Sequence, residues 1–293
     1  MRTLLLVALL TAPVWAQNLA TDALPDDTQF GRVGGQNVQP FYEGWQRLPD
    51  GHTAMWFGYL NRNFQEQVDV PVGENNKFDL KTDLGQPAHF YPRRSLFVFK
   101  VVLPDNWPAD KRLIWSLTAH GKTSQASGWL QPEWEVDDGV IQMNLGPGSA
   151  PPDPPNSPPT ITVKADTTAI AGKSLKLTAS TTDDGIPKPR RRAPSVNASA
   201  ASTPMPLPPG AAPRPRAILG LRIRWVLYRG PDSGGDVTFD EDTSKPALGA
   251  TTAELATNAT FTKPGTYWLR AIATDGLLET PYDLKLTVIE PRK

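Results

Sequence analysis

Cysteine is absent from this chain of 293 residues. Its absence excludes disulfides, thiolate metal sites, cysteine nucleophiles and a lipid-modified cysteine at a mature N-terminus. Net charge is absent too. Thirty Lys and Arg balance thirty Asp and Glu, so no overall field favours nucleic acid or an anionic membrane surface. Histidine is scarce, with only His52, His89 and His120. Their spacings fit no standard metal motif, and turn histidines bonded to backbone are favoured over a metal shell completed by Glu43 or Glu133. No stretch after the first residues approaches the ~20 apolar residues of a spanning helix. Sustained 3.6-residue periodicity is also missing, and no cofactor-binding motif stands out. Ser116, Ser124 and Ser127 lack the sequence around a nucleophile elbow.

Proline and glycine, by contrast, are plentiful, at 31 and 23 residues, which implies many turns. The chain opens with Arg2, the apolar run Leu4–Leu10, and Val14 and Ala16 at the −3 and −1 positions of a small-residue cleavage site. Residues 1–16 are therefore expected to be a cleaved signal peptide. Export to the periplasm or beyond follows, with no spanning segment left after cleavage. Residues 17–39 are polar and read as an irregular arm.

From residue 40 to 145 short apolar runs alternate with turn signals. Phe41–Trp45 and Thr53–Asn61 flank Asp50-Gly51, the signature of a hairpin. Val68–Pro71 reads as a short edge strand, Gly73–Ala88 as loop, and Arg112–Thr118 and Thr123–Leu130 as strands. Trp134–Met143 reads as a last strand pair broken at Asp137-Asp138-Gly139. Ser95–Leu103 is apolar on both faces, as a strand buried deep in a sandwich would be. The stretch Gly85–Val102 combines a Pro-marked turn carrying His89, Arg93 and Arg94 with this strand, and is singled out as a possible polar site on a rigid scaffold. Gly146–Pro159 is a Pro-rich linker, expected to extend at ~3.1 Å per residue. Residues 160–293 return to alternating strands, interrupted at 186–217 by a Pro-, Ala- and Arg-rich insertion with no acidic residue, expected to be disordered. The fold class is thus all-β: two antiparallel β-sandwich domains, 40–145 and 160–293, joined by a Pro-rich linker.

Six of the nine tryptophans lie between Trp45 and Trp134, more than one core needs to bury. Tyr42, Trp45 and Trp56 with Asn61 and Asn63 suit a glycan platform, because aromatic faces stack on sugar rings while amides read hydroxyls. Core packing is the competing explanation. His89 and Arg93 are added as candidate ligand contacts, since a guanidinium offers a planar fork of donors to an acid. A structural ion pair of Arg93 or Arg94 with Asp79 or Asp83 is the plainer alternative. Glu133 and Glu135, two apart on an expected strand, would suit a glycosidase only within a cleft. Asp183, Asp184, Asp275 and the run Asp240–Asp242 would offer oxygens to Ca²⁺ if they met, but solvated loop acids are commoner.

Ala171–Leu177, Asp183-Asp184-Gly185, Trp225, Gly230-Pro231, Val237–Phe239, Gly265–Tyr267, Ala273–Gly276 and the terminal strand Asp283–Ile289 resemble an immunoglobulin-like domain of the polycystic-kidney-disease (PKD) type. That resemblance implies an immunoglobulin-like sandwich with Trp225 on a central strand, acting as a spacer or adhesion module. Phe41–Trp45, Phe57–Asn63, Pro71–Gly73, Gly85–Arg94 and Thr118–Thr123 resemble a family of exported bacterial proteins, which implies export and no particular activity. The expectation is an exported, non-enzymatic binding or adhesion protein whose partner is a glycan or an envelope protein. A polysaccharide hydrolase in the N-terminal domain and a structural subunit of an envelope complex are the alternatives.

Overall fold

The computed structural model describes residues 33–146, 152, 154–189, 218–232 and 234–291. The expected signal peptide, most of the arm and most of the Arg-rich insertion lie outside them. The N-terminal half contains β1 (Val38–Arg47), β2 (Thr53–Asn61), β3 (Val68–Asp69), β4 (Asn76–Phe78), β5 (His89–Phe90), β6 (Arg93–Val102), β7 (Leu113–Ala119), β8 (Lys122–Gly128) and one helix, α1 (Asp138–Leu145). Two three-stranded sheets, β1-β2-β6 and β4-β7-β8, enclose the core, with the pair β3-β5 beside them. The Asp50-Gly51 hairpin forms as expected. Gly51 takes φ +89 and Leu48 N–H donates to the His52 carbonyl at 2.8 Å.

Between these sheets lies an aromatic cluster. Trp115 is fully buried. Its ring meets Phe99 edge-on at 5.2 Å, lies parallel to Phe78 at 5.9 Å, and crosses Phe57 at 6.1 Å. Edge-to-face and offset geometries suit the ring quadrupoles. The indole N–H donates to Asn76 Oδ1 at 2.9 Å, while Asn76 Nδ2 donates to the Val70 and Pro87 carbonyls. One buried amide thus fixes β4 and the following loop to the core.

Three expectations for this half change. Gly73–Ala88 is not all loop, since Asn76–Phe78 pairs with β7 in register with Leu117–Trp115; three residues are too few to show a period. Pro132–Trp134 and Asp138–Leu145 are helical, where Trp134–Met143 is expected to be a strand pair. Pro132 starts a 3-10 turn, and Asp137 caps α1 by accepting from Val140 N–H at 2.8 Å. Strand β6 lies at the edge of its sheet, not at the centre. Its residues 95–98 are only half-buried, and Phe97 sits at φ +48 where the register with β2 shifts. A bulge of this kind turns an edge away from further pairing.

The C-terminal half contains β9 (Thr160–Ala165), β10 (Thr168–Ile170), β11 (Ser174–Thr182), β12 (Arg222–Arg229), β13 (Val237–Phe239), β14 (Thr252–Phe261), β15 (Gly265–Thr274) and β16 (Glu279–Ile289). One sheet runs β13-β14-β11-β9 and the other β10-β16-β15-β12, with β10 parallel to β16. Two facing sheets in this order form an immunoglobulin-like sandwich. Leu177, Trp225, Phe261, Tyr267 and Leu269 fill the space between them. Trp225 is in the core, as the resemblance implies; β12 ends the row of named strands, but residues 242–247 run along the outer edge of its first half through the bridges Leu221–Ala247 and Arg224–Thr243.

At one end of this sandwich Asp183, Asp184 and Asp275 gather around the linker. Asn156 Nδ2 donates to Asp275 Oδ2, and Ser157 N–H donates to Asp184 Oδ2. Asp240 is bonded instead to Asn258. Among the described residues no three His, Asp or Glu side chains are arranged to hold a metal ion. Burial first, and then repulsion from Asp275 and Asp184, push the Asp183 carboxyl up from 3.8 to about 6. The folded chain therefore binds a proton here that the unfolded chain has already lost. Its stabilisation is complete below the unfolded value and disappears as pH rises through about 6. Thermal melts should give a higher Tm at pH 5 than at pH 7.5. Asp183→Asn should raise the Tm at pH 7.5 and narrow that difference; an unchanged difference would refute the assignment.

Candidate functional site: an aromatic edge and an interdomain joint

In a regular strand, residues three apart face opposite sides. Tyr42 and Trp45 nevertheless face the same side. The register of β1 on β2 shifts between Tyr42 and Gly44, so Tyr42 opposes Phe57 and Trp45 opposes Met55, both inward-facing positions. Gly44, at φ +131, allows this bulge and lets the Trp134 carbonyl and Val136 approach where a Cβ would stand. Val136 N–H then donates to the Trp45 carbonyl at 2.8 Å. Residues 129–136 are in this way laced along the edge of β1.

An aromatic strip results. Tyr42 Oη donates to the Trp129 carbonyl at 2.7 Å, and Trp45 Nε1 donates to the Gln131 carbonyl at 2.7 Å. The Trp134 ring stacks on Tyr42 with centroids 5.5 Å apart and planes 24° apart, and Trp134 remains 44% exposed. Arg112 covers the half-buried Trp129 ring at 4.1 Å, and Arg47 lies over Trp45 at 5.3 Å. Burial drives the Tyr42 phenol well above its ordinary range, so it stays neutral and keeps its proton for Trp129.

The other sequence-derived candidates are elsewhere. Trp56 is on the opposite face of the sheet, donating to Gln46 Oε1 at 3.0 Å, with Lys100 over its ring. Asn61 and Asn63 are fully buried; Asn61 Nδ2 donates to the Glu66 and Phe90 carbonyls, and Asn63 Nδ2 donates to Gln36 O and Asn61 Oδ1. Arg93, at φ +73, lies over Phe64. Arg94, not Arg93, makes the ion pair, and its partner is Glu43 at 2.7 Å rather than Asp79 or Asp83. Glu133 and Glu135 do not share a strand face, because Pro132–Trp134 is a 3-10 turn, and Glu135 pairs with Arg47 at 2.9 Å. Trp129, Gln131, Trp134 and Arg112 were not among the residues singled out. The surplus of tryptophans was their one visible signal.

Gly85–Arg94 belongs to a joint between the halves. Ala88 N–H donates to the Tyr228 carbonyl at 3.0 Å, and Leu227 N–H donates to Tyr91 Oη at 2.8 Å. Tyr228 Oη donates to the Gly85 carbonyl at 2.6 Å. Arg229 donates to Gln86 O and grips Asp83 with both terminal nitrogens, at 2.9 and 2.8 Å. These bonds hold the Asp83 carboxyl down at about 2. Arg270 pairs with Asp283 through two bonds, caps the Tyr228 ring at 3.6 Å, and donates to the Val98 carbonyl. The N-terminal half thus satisfies the backbone of β12 at Leu227 and Tyr228, beyond the stretch that residues 242–247 cover.

Beside this joint lies a polar cleft of about 530 Å³. Gln65, Gln67, Asp69 and His89 line it from one half, and Asp236, Thr262 and Lys263 from the other. His89 is buried, with Nδ1 2.7 Å from Asp69 Oδ1 and Nε2 2.7 Å from Gln67 Oε1. It meets Tyr91 edge-on at 4.7 Å.

No protein-family model and no curated protein matches the sequence. Among the solved structures that match are two that are similar along most of its length. One is the D00-D0 domain of intimin, with 9% identity, 86% of this chain and 100% of that chain covered, and a TM-score of 0.25. The other is domains 4 and 5 of the S-layer protein SbsC, with 8% identity, 87% and 98% coverage, and a TM-score of 0.23. Scores this low do not establish a shared fold, so the sandwich assignment rests on strand order. Among the described residues no helix is long and apolar enough to cross a membrane.

Proposed function

We propose that this is an exported, non-enzymatic binding or adhesion protein of the periplasm or cell exterior, recognising a glycan on the Tyr42–Trp134 edge. The immunoglobulin-like half, of PKD type, acts as the spacer that the joint holds at a fixed angle. One observation carries the reading: the Trp134 indole is exposed, yet backed by a Tyr42 ring that is itself pinned to the Trp129 carbonyl. An aromatic surface ordered before binding loses little entropy when a sugar ring stacks on it. The Gln131 carbonyl accepts from the Trp134 N–H, and exposed Glu133 precedes Trp134 in sequence, so acceptors for hydroxyls are at hand.

A glycan array probed with the full chain tests this reading. Binding should fall at least tenfold with Trp134→Ala, as expected for losing about 1.4 kcal/mol or more from an aromatic contact. Trp56→Ala, on the opposite face, should leave it unchanged. Absence of binding to every glycan, or equal losses in the two variants, would end the proposal.

A further inference from the structure

We infer that the glycan carries free amines, whose ammonium groups meet the Trp134 indole and the carboxylates beside it; this rests on the glycan reading above. Tryptophan in this fold is paired with cations. Arg47 lies over Trp45, Lys100 over Trp56, Lys111 over Trp107, Arg112 over Trp129, and both Arg229 and Lys285 over Trp268. Trp115 and Trp225 are fully buried in the two cores. Trp134 remains. It is the one exposed indole among the described residues, and no Lys or Arg of those residues lies over it. Tyr42 stacks on one of its faces. Indole is the strongest cation binder of the aromatic rings.

The charges that travel with Trp134 are of the sign that attracts a cation. Glu133, Glu135, Asp137 and Asp138 fall within the six residues 133–138, and all four are exposed. The chain has no Lys or Arg between Lys122 and Lys164, so any compensating cation comes from another element. Arg47 is one, paired with Glu135 at 2.9 Å. Asp137 accepts from Val140 N–H and Asp138 from Gln46 Nε2, neutral donors that leave both charges in place. Glu133 makes no hydrogen bond or ion pair among the described residues. Four acids against Arg47 leave a local charge of −3. The loop that Leu130 N–H joins at the Ala109 carbonyl adds Asp110, Lys111 and Arg112, and the sum is still −2. Glu133 and Glu135 adjoin Trp134 in the chain. Consecutive Cα atoms stand ~3.8 Å apart, so both carboxylates lie within roughly 10 Å of the indole, about the range over which 0.1 M salt screens a charge. An ammonium has three donors and no acceptor, which complements carboxylates and an aromatic face together.

The test uses the full chain with oligomers of glucosamine and of galactosamine, at about pH 5.5 so that their amines are protonated. Each is compared with the same oligomer after N-acetylation, which removes the charge and keeps the sugar rings. At least one amine form should bind about fivefold or more tighter than its acetylated form, and added salt should weaken only the amine form. Glu133→Gln should reduce that preference and Glu133→Lys should abolish it, while Trp134→Ala should weaken both forms. Unchanged melting temperatures in the Glu133 variants separate this from misfolding. Equal or tighter binding of the acetylated forms, or an amine preference that survives Glu133→Lys, would overturn the inference while leaving glycan recognition standing. Failure of every oligomer in both forms would overturn it as well, and the other members of the array would then decide the glycan reading alone.

Discussion

Arg270→Met should destabilise the C-terminal half by about 2–3 kcal/mol and loosen its hold on the N-terminal half. Arg270 is buried and its two bonds to Asp283 are 2.7 and 3.0 Å long. Removing one member of a buried pair typically costs about 3–5 kcal/mol, because the remaining charge is left without its partner. Asp283 keeps a third of its side chain in solvent, so water recovers part of that cost and the lower figure applies. Methionine preserves apolar contact with Tyr228 but cannot donate to the Val98 carbonyl. A change of this size lowers Tm by roughly 4–8 °C per kcal/mol in a domain of 60–100 residues. Calorimetry should also resolve two transitions once Arg229→Met is added, because that change removes the grip on Asp83 and Gln86. One sharp, unshifted transition in the double variant would show that the polar joint does not couple the halves.

Trp115→Ala should leave the N-terminal half unfolded. Emptying a buried tryptophan site costs about 3–5 kcal/mol, and stranding Asn76 Oδ1 adds about 1–3 kcal/mol. Together these approach the whole stability of an ordinary domain, about 5–15 kcal/mol. The effect reaches the joint as well, since Asn76 also holds the Pro87 carbonyl and Pro87 immediately precedes Ala88, which bonds to β12. Trp115→Phe separates the two contributions. It keeps an aromatic ring among Phe57, Phe78 and Phe99 and loses mainly the N–H bond, for about 1–2 kcal/mol. Urea titrations of both variants give the comparison. Equal losses would mean that the hydrogen bond, and not the packing, dominates.

Local pattern made most strands legible. The alternation of Leu221–Tyr228 reports a face against a core, and the Asp50-Gly51 turn reports backbone conformation, so both are written where they act. The all-β class follows from that level alone. Elements whose identity depends on distant partners were not legible. Asn76–Phe78 is a strand because β7 runs beside it, and Ser95–Val98 is half-buried because no strand pairs with its outer edge. Trp134–Met143 reads as a strand pair from its apolar content, yet Pro132 and the Asp137 cap commit Pro132–Trp134 and Asp138–Leu145 to helical turns.

The candidate site divides in the same way. Tyr42 and Trp45 could be named from composition, because a surplus of aromatics is visible as a count, but Trp45 proves to be core and Tyr42 half-buried against it. That they share a face could not, since the bulge at Glu43-Gly44 reverses the alternation. Trp134 joins Tyr42 only because Val136 laces the crossover to β1. Gly85–Arg94 looked like a site because it is polar, turn-rich and leads into an apolar strand. Those are equally the properties of a joint, and only the edge of β12, 143 residues away at the Gly85–Tyr228 bond, decides between them. The sequence by itself determined the expected export signal, the absence of thiol chemistry, the β-class and most strands, because those depend on local composition and period. Which aromatic faces solvent, which arginines find a carboxylate and how the halves meet were decided by tertiary structure, because each depends on atoms far apart in the chain.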